Sequence, residues 1–104
     1  MKISILLPYK ENFSPTYPGA VSLFLKDTIP LSKFKKEIIV YGNTLYKTKL
    51  LKNYVNLDFK KFFFKSSTKS YLKKFIENEN IIKSKLIEIH NRRNYVNTIY
   101  KINK

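Results

Sequence analysis

The feature that most limits the possible folds is the run "KISILLP", residues 2–8. It is short, almost continuously apolar and closed by a proline, which is the pattern of a strand buried on both faces. Strands of this kind occur in parallel sheets, where helices cover each side. The run therefore predicts that the chain contains a parallel sheet.

The next residues predict the first helix. A proline-rich, polar loop covers residues 9–19, and an amphipathic helix follows that begins at Gly19 and ends or kinks at Pro30. The apolar face expected for this helix consists of Ala20, Val21, Phe24, Leu25 and Thr28. A strand followed at once by a helix is the start of an α/β unit.

The middle of the chain contains a second strand and a region that is harder to interpret. Residues 36–43 are β-branched and apolar and stop at Gly-Asn, so they predict a strand. In the region that follows, Leu50 and Leu51 are expected in a short helix, and residues 54–64 are expected to hold a short strand.

The last third repeats the alternation. A helix is predicted from residue 67 onwards, capped by Ser67 or Thr68. Its apolar face is expected to consist of Tyr71, Leu72, Phe75 and Ile76. Residues 85–91, "KLIEIHN", predict another strand. A final helix follows, with Tyr95, Val96, Ile99 and Tyr100 on one side.

This order predicts an α/β fold: a single domain over residues 1–104 with a partial Rossmann-like parallel sheet and flanking helices. The last helix has no capping residue or further strand after it, so the sheet is expected to be incomplete.

Composition removes several classes of function. The chain has no cysteine, which excludes disulfides, cysteine-ligated zinc and a cysteine nucleophile. Its apolar runs are far shorter than the roughly 20 residues of a membrane span, and its N-terminus lacks the features of a signal peptide. We therefore expect a cytoplasmic protein, with peripheral contact at the inner face of the cytoplasmic membrane as a further option.

The net charge of +14 suggests nucleic acid or an anionic membrane as a partner. However, only two of the 21 basic residues are arginines, and the lysines are spread along the chain together with many Ile, Asn, Phe and Tyr residues. Bias toward A/T-rich codons produces the same composition, and phosphate or base recognition favours arginine. A lysine-rich solvated surface is the preferred interpretation, and a small basic α/β binding module is the alternative.

Candidate functional residues lie where predicted strands end, because ligands of parallel α/β sheets bind beyond the carboxyl ends of the strands. Gly19 at a helix start would let a phosphate approach bare backbone amides, although its spacing alone favours a simple helix start. After the last strand, His90 is suited to act as a base or sugar ligand, and Asn91, Arg92 and Arg93 supply donors. In the alternative interpretation Asn91 caps the next helix and the arginines are solvated, and the two stay open.

Two further expectations concern this segment. Glu88 lies two residues before His90 on the same strand face, so it either orients the imidazole or pairs with a surface lysine. The single histidine and the scattered acidic residues offer no cluster for a metal ion, so none is expected.

Together, "ISILLP", "SPTYPGAVSLFLKD" and "LIEIHNR" followed by "NYV" resemble the N-terminal domain of bacterial family 4 glycosyltransferases, which have the two-domain GT-B fold. The chain departs from the family pattern in two places. Arg93 stands where the family usually has proline, and a single glycine precedes Ala20, where many members have two.

The resemblance implies retaining transfer of a sugar from a nucleotide-sugar to a glycan or lipid-linked acceptor in cell-surface polysaccharide synthesis. It implies that Gly19 and Ala20 contact the donor diphosphate, that His90 is the catalytic residue reaching the transferred sugar, and that Asn91 and Arg92 shape the substrate site. No metal or other cofactor is expected. It also implies that this chain corresponds to the acceptor side only and is inactive until a second, nucleotide-binding domain completes it.

Overall fold

The computed structural model describes residues 2–59, 66–90 and 95–96. Over these residues the chain forms a four-stranded, entirely parallel sheet flanked by helices, which confirms the predicted α/β class. The elements in chain order are β1 (Ile3–Leu6), α1 (Ala20–Thr28), a short 3₁₀ helix that contains Pro30 (Ile29–Leu31), β2 (Ile38–Gly42), β3 (Tyr54–Asn56), α2 (Ser67–Ile82) and β4 (Leu86–Ile89).

The first strand lies at the centre of the described sheet, whose order is β3-β2-β1-β4. Every residue of β1 is buried, as its unbroken apolar pattern predicts. Ile3 pairs with Ile38 of β2 on one side and with Leu86 of β4 on the other.

Two separate apolar cores cover the two faces of the sheet. On one face Ile3 and Ile5 of β1 pack with Val21 and Leu25 of α1. On the other face Leu6 packs with the buried face of α2, which consists of Tyr71, Leu72, Phe75 and Ile76 as predicted. Crossovers between parallel strands are right-handed. Because the chain crosses the sheet in one direction between β1 and β2 and in the other between β3 and β4, α1 and α2 lie on opposite faces.

A partly buried polar cluster joins the end of α2 to β1. The hydroxyl of Ser4 in β1 donates to the Glu79 carboxylate and lies 2.6 Å from the Ser84 hydroxyl. The Ser84 amide donates to the same carboxylate at 3.2 Å. Because Lys83 ends the helix in the left-handed conformation, the chain turns directly into β4. These contacts fix β4 beside β1.

Three local expectations are wrong. Leu50 and Leu51 form no helix: they lie in a bent segment and pack against the first core, while the Leu50 amide donates to the Phe13 carbonyl instead of a helical partner. Such a short segment gains too few helical bonds to offset the cost of starting a helix. Helix α2 is capped by Ser66, one residue earlier than expected, through its hydroxyl and the Lys69 amide.

The third error concerns the buried face of α1. Phe24 is 57% exposed, and Ala20 and Thr28 are also exposed, whereas Ser22 is fully buried. The carboxylate of Glu11, in the preceding loop, binds Ser22 and holds that side of the helix against the rest of the protein. The buried face of α1 is therefore turned toward Ser22. Of the predicted last helix only Tyr95 and Val96 fall within the described residues; Tyr95 is buried and Val96 exposed.

None of the helices in the described ranges is both long and apolar enough to cross a membrane.

Candidate functional site

The carboxyl edge of the sheet contains a topological switch point. The chain moves outward from β1 through β2 to β3, and then returns to the opposite side of β1 as β4. In open parallel sheets the crevice between the two strands where this reversal occurs is the usual ligand site. Here that crevice lies between the loop after β1, residues 7–19, and His90 after β4. The sequence predicts that the candidate functional residues lie at the carboxyl edge of the sheet. The strand order identifies the crevice between β1 and β4 as the position along that edge.

His90 is held by a carboxylate from its own strand. Its Nε2 lies 3.0 Å from Glu88 Oε2, and the two side chains are 21% and 51% exposed. Among the described residues this is the one contact within 4 Å between a basic side chain and a carboxylate, although lysines are abundant. Of the two interpretations open for Glu88, the structure shows the pairing with His90.

The pairing assigns a role to each nitrogen of the neutral imidazole. An ionised carboxylate only accepts hydrogen bonds, so Nε2 must carry the proton that it shares with Glu88. The second nitrogen, Nδ1, then keeps its lone pair. A histidine fixed in this way presents an acceptor that is suited to a hydroxyl group of a ligand.

An internal carboxylate occupies the start of α1. Oε2 of Glu11 accepts hydrogen bonds from the Ser22 amide at 2.7 Å and from the Ser22 hydroxyl at 2.6 Å. Gly19 is the N-cap residue and has no side chain to satisfy these donors, so Glu11 replaces the missing cap. The negative charge also suits the positive end of the helix dipole.

This arrangement bears on the role expected for Gly19 and Ala20. A β-carbon at Gly19 would lie only 2.2 Å from Glu11 Cγ, so the glycine gives the carboxylate room to reach the helix. A donor diphosphate at the same amides would meet that carboxylate and require it to move. The contact of Gly19 and Ala20 with a phosphate stays a prediction. No local sequence pattern indicates this role of Glu11, which lies eight residues before the helix cap.

The loops after β1 and β2 are joined beneath the edge. The Phe13 amide donates to the buried Thr44 hydroxyl at 3.1 Å, and that hydroxyl lies 2.7 Å from the hydroxyl of Tyr54. The rings of Phe13 and Tyr54 stack with centroids 5.2 Å apart. Burial raises the pKa of Tyr54 to about 12, so it remains a neutral hydrogen-bonding group at physiological pH. These contacts hold the loop after β1 and the loop after β2 together at the carboxyl edge of the sheet.

Two tyrosines fix the loop after β1 from the α2 side. The Tyr71 hydroxyl donates to the Leu7 carbonyl at 2.6 Å, and its burial raises its pKa. The Tyr95 hydroxyl accepts a hydrogen bond from the Tyr9 amide at 2.9 Å. The start of the loop is therefore tied both to α2 and to the segment that follows His90.

The predicted roles of Asn91 and Arg92, and the neighbouring Arg93, fall outside the described residues. Within the described ranges, no group of three or more His, Asp or Glu side chains is arranged to hold a metal ion. The structure thus brings together His90, Glu88 and the loop after β1 at one edge, with Gly19 and Ala20 at the far end of that loop.

Comparison with known proteins adds no relative: no family profile, no curated protein and no solved structure matches the chain.

Proposed function

We propose that this chain is the acceptor-side domain of a retaining glycosyltransferase that moves a sugar from a nucleotide-sugar to a glycan or lipid-linked acceptor. The observation that carries the proposal is the position of His90 at the β1–β4 switch point, with Nε2 bound to Glu88 and Nδ1 left as an acceptor. The resemblance of residues 86–92 and 14–27 to family 4 glycosyltransferases supplies the substrate class.

In this proposal His90 orients the transferred sugar, because the lone pair of its Nδ1 accepts a hydrogen bond from a sugar hydroxyl. Glu88 acts through His90 by holding the tautomer and the ring orientation. A second, nucleotide-binding domain faces this edge and holds most of the donor. Asn91 and Arg92 belong to the same substrate site, as the resemblance implies.

The test is sugar transfer in extracts of the native cells, in which the chain meets the partner domain that it requires. A chromosomal His90→Ala variant is expected to lower the transfer of labelled sugar from nucleotide-sugars to the membrane fraction by at least tenfold, because one positioned catalytic side chain commonly contributes 10²-fold or more. Glu88→Gln should lower it by a smaller factor, since the imidazole stays but loses its fixed tautomer. Lys26→Ala on exposed α1 is the control and should transfer at the wild-type rate.

The level of the chain, measured by immunoblot, must be equal in all strains. Transfer that is unchanged in the His90→Ala strain contradicts the proposal. If the purified chain instead bound nucleic acid tightly and with steep salt dependence, the basic-module alternative would replace it.

A further inference from the structure

A pair of tyrosine rings stands on the carboxyl edge beside the loop after β1. Tyr17 belongs to that loop and Tyr46 to the loop after β2, and their ring centroids lie 6.3 Å apart with the planes tilted by 40°. Tyr17 is 80% exposed, and the neighbouring Leu45 is 84% exposed. Tyr17, Leu45 and Tyr46 are called the tyrosine platform below. Because β2 and β4 flank β1, the loop that carries Tyr46 and the strand end that carries His90 lie on opposite sides of β1.

The rings are held in place rather than left free on the surface. Asn12 donates from Nδ2 to the Tyr17 carbonyl at 3.4 Å and accepts from the Leu45 amide at 3.5 Å, so one side chain links both loops. The backbone carbonyl of Asn12 also accepts a hydrogen bond from the Gly19 amide, which brings residues 12 and 19 of the loop together. Tyr17 has a positive φ of 47°, a conformation that most side chains avoid. Backbone strain of this kind persists where the surroundings enforce it, and it is common at ligand sites.

The surface around the tyrosine platform is positively charged. Lys49 donates to the Tyr46 carbonyl and lines an open groove of about 510 Å³ together with Leu50, Leu51 and Lys52. Lys47 is exposed beside Tyr46. Glu11, in the loop after β1, is already bound to Ser22, and residues 44–57 contain no acidic residue, the next being Asp58. A ligand with negative charge is therefore favoured.

We propose that the tyrosine platform binds an acidic saccharide, with one sugar ring stacked on Tyr17 and a carboxylate directed toward the lysines of the adjoining groove. Flat aromatic faces suit the C–H face of a sugar ring. The inference rests on the proposed function for the choice of a saccharide, and it adds the charge class of the acceptor. Single-stranded nucleic acid also stacks on aromatic rings, but residues 9–59 contain no arginine, the side chain preferred for phosphates.

The experiment titrates the full chain with a hyaluronan tetrasaccharide, which alternates glucuronate with N-acetylglucosamine, and follows backbone amides by ¹H–¹⁵N NMR. Amides of residues 12–19 and 44–50 should shift, and chitotetraose, a neutral sugar of the same length, should bind more weakly. Tyr17→Asn removes the ring without altering charge, and asparagine tolerates the left-handed conformation well. This variant should weaken binding by at least about fivefold, and Tyr46→Leu should do likewise. Tyr17→Phe, which keeps the ring, and Phe24→Leu, at an exposed ring on α1, should bind as the wild type does.

Equal affinity of the wild type and Tyr17→Asn would show that the net charge alone attracts the sugar, and it would overturn the inference. So would an absence of binding, or tighter binding of oligothymidylate through the same two tyrosines. The outcome is separable from the proposed function, because the platform does not include His90. A platform that fails while transfer still depends on His90 overturns this inference alone. Platform binding without any His90-dependent transfer overturns the glycosyltransferase proposal alone.

Discussion

At the scale of single residues, two buried tyrosine hydroxyls have opposite surroundings. The hydroxyl of Tyr71 donates to the Leu7 carbonyl, whereas the buried hydroxyl of Tyr41 has no hydrogen-bond partner among the described residues. Both rings pack in the same core, on the α2 face of the sheet. The pair separates the contribution of a hydrogen bond from that of an aromatic ring.

We predict that Tyr71→Phe lowers the free energy of unfolding by about 1–3 kcal/mol, because it leaves the buried Leu7 carbonyl without its donor. Tyr41→Phe should cause no loss, since it removes a polar atom that is buried without a partner. Urea unfolding of the two variants beside the wild type measures both values. Equal destabilisation by the two substitutions would contradict this account of the hydroxyls.

Sequence patterns predicted residue burial well on α2 and poorly on α1. The four apolar residues expected to face the core on α2 are all buried, because nothing competes with apolar periodicity along that helix. On α1 the periodicity predicts that Phe24 is buried. The hydrogen bonds that Ser22 donates to Glu11 turn the buried face of the helix toward Ser22, and Phe24 is exposed. A contact between residues eleven positions apart leaves no mark on the periodicity of either segment.

At the scale of elements, the start of α1 depends on a cap supplied by the loop before it. Glu11 satisfies the Ser22 amide, and it fits only because Gly19 has no β-carbon. Glu11 and Gly19 therefore both contribute to the cap of α1, and a substitution at either position should remove the contact between Glu11 and Ser22.

We predict that Glu11→Ala and Gly19→Ala each lower the free energy of unfolding by about 1 kcal/mol, the usual contribution of a helix cap. The double variant should lose no more than about the larger single loss, because the second change has nothing left to remove. Glu77→Ala, at an exposed acid on α2, controls for the loss of a negative charge. Additive losses in urea unfolding would show that Gly19 and Glu11 act independently.

The strand that carries Glu88 shows where apolar patterning is misleading. Residues 85–91 predict a short strand that is apolar up to His90, and β4 forms within them over Leu86–Ile89. Its Leu86 and Ile87 are nevertheless 57% and 40% exposed, because β4 lies at the edge of the described sheet. The sequence predicts that a segment is a strand, but its position within the sheet depends on pairing with distant segments.

At the scale of the whole molecule, the order of the strands determines where a ligand crevice lies. Alternating strand and helix patterns predicted the parallel α/β class, since each pattern is local. The order β3-β2-β1-β4 depends on pairings between residues that are distant in the sequence, such as Ile3 with Ile38 and with Leu86. For this reason the sequence placed His90 at the right edge but did not identify the switch point beside it.

The central claim is that this switch point receives the sugar and its donor. The most direct measurement is a ¹H–¹⁵N NMR titration of the chain with UDP-glucose, in the wild type and in Glu11→Ala. Amide shifts are expected in residues 9–12, 19–22 and 88–90, with tighter binding once the Glu11 carboxylate no longer competes with the diphosphate. Binding to this chain is expected to be weak, because the proposed second domain holds most of the donor. Shifts confined to the opposite edge of the sheet, near Lys2, Ile38 and Lys85, would contradict the proposal.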